Sequence, residues 1–462
     1  MTSFVVLCIL LGVGHLLRSR IKLFQKLYLP SCVIGGLFGL LVIQVLAAGS
    51  GGCSSCESVS GWLDGVTEPW RKIPSMLINV VFACLFLGVK LPALSDLWKR
   101  SGPQVVYGQI VAWGQYVVGL GLWVLVLGWI FTDLPSMFAG ILPVGFEGGH
   151  GTAAGMGPVF AERGWPEGQD LAMTSATCGI MSAIVVGMIL INWAVRKGYA
   201  VRHKELSQQI EDDSIAVIPV DQRPIAGRLT VNSDIIEAFS LHLVAVGLAC
   251  GIGMLIKEAL VLLESQSVYL SGNHLLSSFP LFPLCMIGGL VIQFLDEKYD
   301  KQKLIDLGLI RRIQNCSLDF LVIAAIAMIS IDVVKTAWLP LLILVAAGIA
   351  WNVFCVMVLA RRILPDAWFE RAIAEMGQSM GVTATGLLLL RVVDPDYDTP
   401  AADAFACKQI VHEPFMGGGL WTSAAIPLIA IYGPSRVLFI ALAAVAVWLT
   451  VGWIMRTKKP VV

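Results

Sequence analysis

Apolar runs separated by short polar segments follow one another along the whole chain, covering 3 to 17, 29 to 48, 74 to 91, 104 to 130, 171 to 195, 234 to 262, 278 to 296, 317 to 334, 337 to 360, 404 to 432 and 436 to 455. About 20 apolar residues wound as a helix cross the ~30 Å hydrocarbon layer of a bilayer. Backbone N–H and C=O groups in lipid must pair within their own segment, so each run predicts a helix and none a lone strand. The expected fold class is an all-α polytopic membrane protein. Two further segments, 136–168 and 363–400, differ from the rest. Each holds an apolar stretch, a Gly-rich turn and a second stretch of apolar or small residues.

Composition agrees with the pattern: 57% of the 462 residues are hydrophobic and 14% charged, with a mean hydropathy of +0.79, too apolar for a water-soluble chain of this size. The 32 basic and 32 acidic residues cancel, which gives a nucleic-acid partner no support. Their placement says more. Basic residues gather in 18–28, around Lys99 and Arg100, from Arg196 to Lys204, from Lys298 to Arg312, at Arg361 and Arg362, and in the tail at Arg456, Lys458 and Lys459. The segments 49–73, 131–135 and 263–277 are poor in net positive charge. Basic loops mark the cytoplasmic side. The first run is followed, not preceded, by its basic residues, so it reads as a retained span and not a cleavable signal.

Basic and non-basic loops alternate without conflict only if 136–168 and 363–400 each enter and leave on one side. The first then opens outward and the second to the cytoplasm, as re-entrant hairpins lining a protein-enclosed cavity. The segment 196–233, with Pro219, Pro224 and mixed charge, has too little apolar content for a core of its own and reads as a cytoplasmic linker. The eleven cysteines lie mostly singly in apolar runs, where a thiol packs as a small hydrophobe. Cys53 and Cys56 share a polar loop and form either a disulfide on an oxidising side or a pair without a role; one such pair alone is no metal site.

An internal repeat divides the chain. Pro30-Ser-Cys32-Val-Ile34-Gly35-Gly36-Leu37 and Pro283-Leu-Cys285-Met-Ile287-Gly288-Gly289-Leu290 agree at six of eight positions. Paired glycines alone would only let two helices pack closely. Their recurrence on helices of opposite expected direction predicts two inverted repeats of about five transmembrane helices plus a hairpin, the plan of many secondary transporters. The expected units are 1–195, the linker 196–233, the second repeat 234–432, and an extra C-terminal helix and tail at 433–462.

The hairpins carry the chemistry. In the first, Glu147-Gly148-Gly149-His150-Gly151-Thr152 is followed by more glycine, too dense to hold a continuous helix when each Gly costs about 1 kcal/mol against Ala. A broken helix frees N–H groups for a carboxylate and C=O groups for a sodium ion. The second hairpin offers Gln378, Ser379, Gly381, Thr383 and Thr385, amide and hydroxyl groups that coordinate oxygen-bearing ligands. His150 stands alone, so it reads as a donor to substrate or a lock on the hairpin before a metal ligand. Glu147 either binds a cation or pairs with a basic side chain at the membrane edge. After the hairpins, Thr174 and Thr177 either line the site or bond back to their own helix. Lys408 and His412 share a helix face at i and i+4 with Glu413 adjacent; they form a polar centre or a structural pair near a span end. Pro414 and Gly417-Gly418-Gly419 predict a break in that helix.

At Gly148-Gly-His-Gly-Thr152 the chain resembles the bacterial sodium/glutamate symporter family, whose first hairpin carries the same sequence. Gly377-Gln-Ser-Met-Gly381 matches the family's Gly-His-x-Gly pattern in part, with Gln378 at the variant position. The resemblance implies sodium-driven uptake of L-glutamate across the bacterial inner membrane, a homodimer, and an elevator-like movement of hairpins against a fixed scaffold. It implies no cofactor beyond sodium as coupling ion. Residue chemistry alone leaves open a carrier of another small carboxylate coupled to sodium or protons. An enzyme would need a nucleophile or metal constellation that does not accompany His150 or the Lys408 cluster, and a channel filter does not call for two opposed hairpins.

Overall fold

The computed structural model describes residues 1–27, 29–49, 54–90, 94–200, 218, 220, 223–274, 276–395 and 397–457. Cys53, most of the 196–233 linker, and Lys458 and Lys459 lie outside them. Among the described residues there is no strand. The main helices are α1 (Thr2–Arg20), α2 (Ser31–Gly49), α3 (Ser54–Thr67), α4 (Ile73–Ala83), α5 (Leu94–Leu122), α6 (Ile141–Gly145), α7 (Gly149–Gly155), α8 (Gly157–Glu162) and α9 (Gly168–Arg196). After the linker come α10 (Ala238–Ser265), α11 (Phe282–Tyr299), α12 (Leu307–Ala327), α13 (Trp338–Phe354), α14 (Trp368–Ser379), α15 (Thr383–Val393), α16 (Ala401–His412), α17 (Leu420–Tyr432) and α18 (Pro434–Thr457).

Six of these, α1, α5 and α13 with their continuations to Ile130 and Ile363, α9, α10 and α18, are long and apolar enough to cross a membrane by length and composition. The protein is a multi-pass helical membrane protein. Other expected spans differ in outline, for local reasons. The run 74 to 91 stops being helical at Ala83; Gly88 takes a φ of +74° and gives its N–H to Gln293 Oε1 at 2.6 Å. The run 317 to 334 starts earlier, at Leu307, because the Asp306 side chain accepts from Leu309 N at 3.0 Å and caps the helix. The segment 49–73, read as a loop, contains α3. Val66 and Trp70 are buried there, and Trp70 Nε1 donates to Ser3 O at 3.1 Å.

Two bodies of helices are visible. In one, α1 packs on α2, α10 on α11, α2 on α12, α11 on α4, and α4 on α12. The glycine pairs make these crossings close. A Cβ on Gly35 would fall 2.5 Å from Leu10 O of α1, and one on Gly288 would fall 2.1 Å from Ala249 O of α10. The second glycine of each pair faces the other half: Gly36 lies against Ile326 of α12 and Gly289 against Ala83 of α4.

The other body is built along α9. Phe138 and Phe160 both pack on Trp165, with ring centroids 6.5 and 5.5 Å away, so the chain from 138 to 160 leaves this level and returns to it. Its turn reaches Gly179, where a Cβ would sit 3.0 Å from Phe146. The antiparallel pair α14 and α15 approaches from the other end of α9. Trp368, at its start, shares the Arg361 guanidinium with Trp193 and Tyr199, at 4.7, 5.4 and 4.3 Å, while Met380 O, at its turn, would lie 2.3 Å from a Gly179 Cβ. The two turns therefore meet halfway along α9. The α5 helix closes this body against α13, α16 and α18.

Candidate functional site

At the turn of the first segment Gly149 has a φ of +67°, a left-handed conformation that glycine adopts without steric cost. A Cβ there would stand 3.3 Å from Gly381 O in the second turn. The Gly148 N–H donates to Pro143 O at 3.0 Å, which tightens the turn and leaves Glu147 pointing inward, 3% exposed.

Glu147 Oε1 receives two hydrogen bonds, from Gln378 Nε2 at 3.0 Å and from His412 Nε2 at 2.6 Å. Gln378 Oε1 in turn accepts from Lys408 Nζ at 3.0 Å. Lys408 also donates to Glu375 Oε1 at 2.5 Å and to Gln409 Oε1 at 2.9 Å. Glu375 Oε2 takes a further bond from Gln104 Nε2 at 3.0 Å, and Gln409 Nε2 donates to Thr383 Oγ1 at 2.6 Å. One buried network thus ties the first turn, α14, α16 and α5 together. A half-made network of this kind would be costly, since each buried polar group left alone loses its water without replacement.

The tautomer of His412 follows from its neighbours. Trp113 Nε1 can only donate, and it does so to Gln109 Oε1 at 3.1 Å. This turns Gln109 Nε2 toward His412 Nδ1 at 3.3 Å. An amide NH₂ only donates, so Nδ1 is the bare nitrogen and the ring's single proton sits on Nε2, facing Glu147. His412 is therefore neutral in this arrangement.

The other sequence candidates divide. Ser379 Oγ donates to Asn352 Oδ1 at 2.6 Å, and its carbonyl accepts from Gln115 Nε2 at 2.6 Å. Thr385 is buried beside the Gly381 turn. Thr152 meets the break between α16 and α17, where a Cβ on Gly418 would lie 1.9 Å from Thr152 Oγ1. Gly151 faces away from the network, toward Ile78 and Leu318. The Thr177 hydroxyl donates to Met173 O at 3.0 Å and so receives the His150 Nε2–H at 3.0 Å; His150 joins the first turn to α9. Thr174 only bonds back to Asp170 O at 2.8 Å. Among the described residues the Glu413 side chain makes no hydrogen bond to the network; its N–H donates to Gln409 O at 3.0 Å. The carboxylate partners of Lys408 and His412 are Glu375 and Glu147, where sequence proximity had pointed to Glu413. Sequence reasoning missed Gln104, Gln109 and Gln115 of α5, although amides in an apolar run are a signal in themselves, because they must face the protein interior.

The family model described as sodium/glutamate symporter matches residues 1–398. Comparison with curated proteins and with solved structures found no match. The matched stretch holds both glycine-rich turns, Glu147, Glu375 and Gln378, and ends before α16, so Lys408 and His412 stand beyond it. With this match over most of its length, the chain belongs to the sodium/glutamate symporter family, whose members are sodium-coupled carriers and not enzymes.

Proposed function

We propose that this protein imports L-glutamate, or a closely similar acidic amino acid, with sodium by alternating access across the bacterial inner membrane, and that it does so as a homodimer. The observation that carries the reading is the meeting of two glycine-rich turns, at Gly149 and Gly381, over one buried polar network. Half-helix ends at such a meeting point present N–H groups to a carboxylate and C=O groups to a cation. Gly148, Gly149, Gln378, Ser379, Gly381, Thr383 and Thr385 are the proposed substrate and ion contacts, with Glu147, Lys408 and His412 as the polar centre. His150 and Thr152 fix the first turn against α9 and the Gly418 break. The homodimer and the glutamate substrate are carried over from the family.

The segments 136–168 and 363–400 are read as re-entrant hairpins that open to opposite sides. Their approach to Gly179 from the two ends of α9 supports this. Inverted repeats are supported by the reciprocal contacts of the two glycine pairs, each with the first helix of its own half, α1 or α10, and with one helix of the other half, α12 or α4. The six helices around them are the proposed scaffold, and the body along α9 is the moving part of an elevator. Their interface at α7 is smooth, small Gly151 and Gly155 lying against Ile78, Leu318 and Phe282.

Labelled L-glutamate taken up by proteoliposomes tests the transport reading. Accumulation is expected with an inward sodium gradient and not with choline in its place; uptake indifferent to sodium overturns symport. The elevator is tested by Gly151→Cys with Leu318→Cys, positions where a Cβ on Gly151 would be 3.6 Å from Leu318 Cδ1. Oxidation of this pair is expected to stop uptake and reduction to restore it. Full uptake by the cross-linked protein rules the sliding interface out.

A further inference from the structure

The charges of the central network do not balance. Glu147 and Glu375 are both buried carboxylates, and among the described residues Lys408 is the one cation hydrogen-bonded to either. His412 is neutral, as its bonds to Gln109 and Glu147 require. Lys408 makes its ion pair with Glu375 and reaches Glu147 only through the Gln378 amide. Glu147 is left with two neutral donors on Oε1, while its Oε2 is buried and has no hydrogen-bond partner. A carboxylate oxygen buried without a partner has given up its water with nothing in exchange, and that cost falls when a ligand joins it.

Groups suited to a hard cation lie close to the first turn. The Tyr116 hydroxyl is fully buried beside Thr422. Thr152 Oγ1 abuts Gly418 at the helix break, where the carbonyls of Pro414, Phe415 and Met416 accept from Leu420, Trp421 and Gly418 N–H in place of regular helix bonds. Oxygen ligands of this kind, a carboxylate with hydroxyls and the carbonyls of an unwound segment, are what sodium takes in a carrier. Resting on the sodium-coupled reading above, we propose that the Glu147 carboxylate is the charged ligand of a transported sodium ion. Its Oε2 holds the ion, and its Oε1 links the ion to Gln378 of the second hairpin and His412 of α16. Occupation supplies the missing charge and draws together the first turn, α14 and the end of α16. Sodium thereby favours the joined turns on which the proposed glutamate site depends. That is a structural basis for coupling, because empty turns lack the charge that holds them closed.

The test uses full-length protein and sodium chloride titrated against choline chloride at constant ionic strength and pH, with thermal unfolding and proteoliposome uptake as readouts. Glu147→Gln keeps an Oε1 that accepts from Gln378 and His412 but removes the charge. The wild type is expected to gain thermal stability saturably with sodium, and Glu147→Gln to show no sodium-dependent gain and no sodium-driven accumulation. Glu147→Asp, which retains the charge on a shorter arm, is expected to need about tenfold more sodium for the same gain, in line with losses seen when a metal site is displaced, and carries the test should the Gln variant not fold. A sodium response of unchanged midpoint in these variants overturns the assignment while leaving symport intact. A wild type indifferent to sodium in both readouts overturns the symport reading itself. Stabilisation of the wild type by lowered pH in place of sodium would assign the carboxylate to a proton and overturn the sodium site.

Discussion

Replacing Lys408 with Met is expected to cost the protein about 3–5 kcal/mol of stability, the usual penalty for removing one partner of a buried ion pair. Lys408 and Glu375 are both fully buried, with Nζ and Oε1 2.5 Å apart. The substitution keeps the aliphatic stem, so packing changes little and the loss is electrostatic. It leaves the Glu375 carboxylate held by the Gln104 amide alone, and it strips a donor from Gln378 Oε1 and from Gln409 Oε1. Glu375→Gln alone leaves the opposite charge stranded and is expected to fall by a similar amount. The paired variant Lys408→Met with Glu375→Gln removes both charges and is expected to recover most of the stability, since a neutralised pair no longer needs desolvated ions. Uptake is expected to stay at least about a hundredfold down in the two variants that lack Lys408, because Gln378 loses the anchor that aims it at Glu147. Thermal unfolding in detergent and uptake in proteoliposomes separate the two effects. A Lys408→Met protein as stable as wild type rules out the pair as a structural tie.

Part of that centre could be read from the chain itself. Lys408 and His412 stand four residues apart in an apolar run, and their shared face follows from helix geometry. Their partners could not be read the same way. Glu375 is 33 residues from Lys408, and Glu147 is 265 from His412. No local spacing encodes a contact of that range. Glu413 is adjacent to His412 in sequence, but adjacent helical positions point in different directions, and Pro414 ends the turn at once. The glycine-rich turns were legible for a different reason: such density of Gly cannot continue a helix. That the turns meet each other depends on α9, whose Gly179 admits Met380 O on one side and Phe146 on the other.

Fold class was legible because about 20 apolar residues in sequence have few alternatives to a spanning helix. Helix ends were less so. The α4 helix stops where Gly88 turns to reach Gln293, 205 residues away, and α12 starts where Asp306 also accepts from Arg228 N of the linker, at 3.3 Å. Such boundaries are set by tertiary partners. Hydropathy averages over a window and does not see them.

Gly418 gives the second large effect. Its φ is +90°, a conformation that costs an L side chain about 1–2 kcal/mol. A Cβ added there would lie 1.9 Å from Thr152 Oγ1 and 3.2 Å from Phe82 Cζ, and overpacking of a close-packed interior adds about 1–3 kcal/mol. Gly418→Ala is therefore expected to lose about 2–5 kcal/mol, the sum of a backbone and a contact cost. The two parts can be separated, because Thr152→Ala removes the crowding oxygen and leaves the backbone alone. In the pair Gly418→Ala with Thr152→Ala the loss attributable to Gly418 is expected to shrink to the backbone cost of about 1–2 kcal/mol. Equal losses with and without Thr152 would show that the hydroxyl does not press on the break. The consequence for transport is larger than that for stability. Met416 O accepts from Gly418 N at 2.8 Å and from the Thr422 hydroxyl, so a displaced Gly418 moves the start of α17 along with the end of α16. His412 then shifts against Glu147, a contact that tolerates little displacement at 2.6 Å. Uptake by Gly418→Ala is expected to fall further than its remaining folded fraction accounts for, and uptake proportional to folded protein would place the break outside the transport cycle.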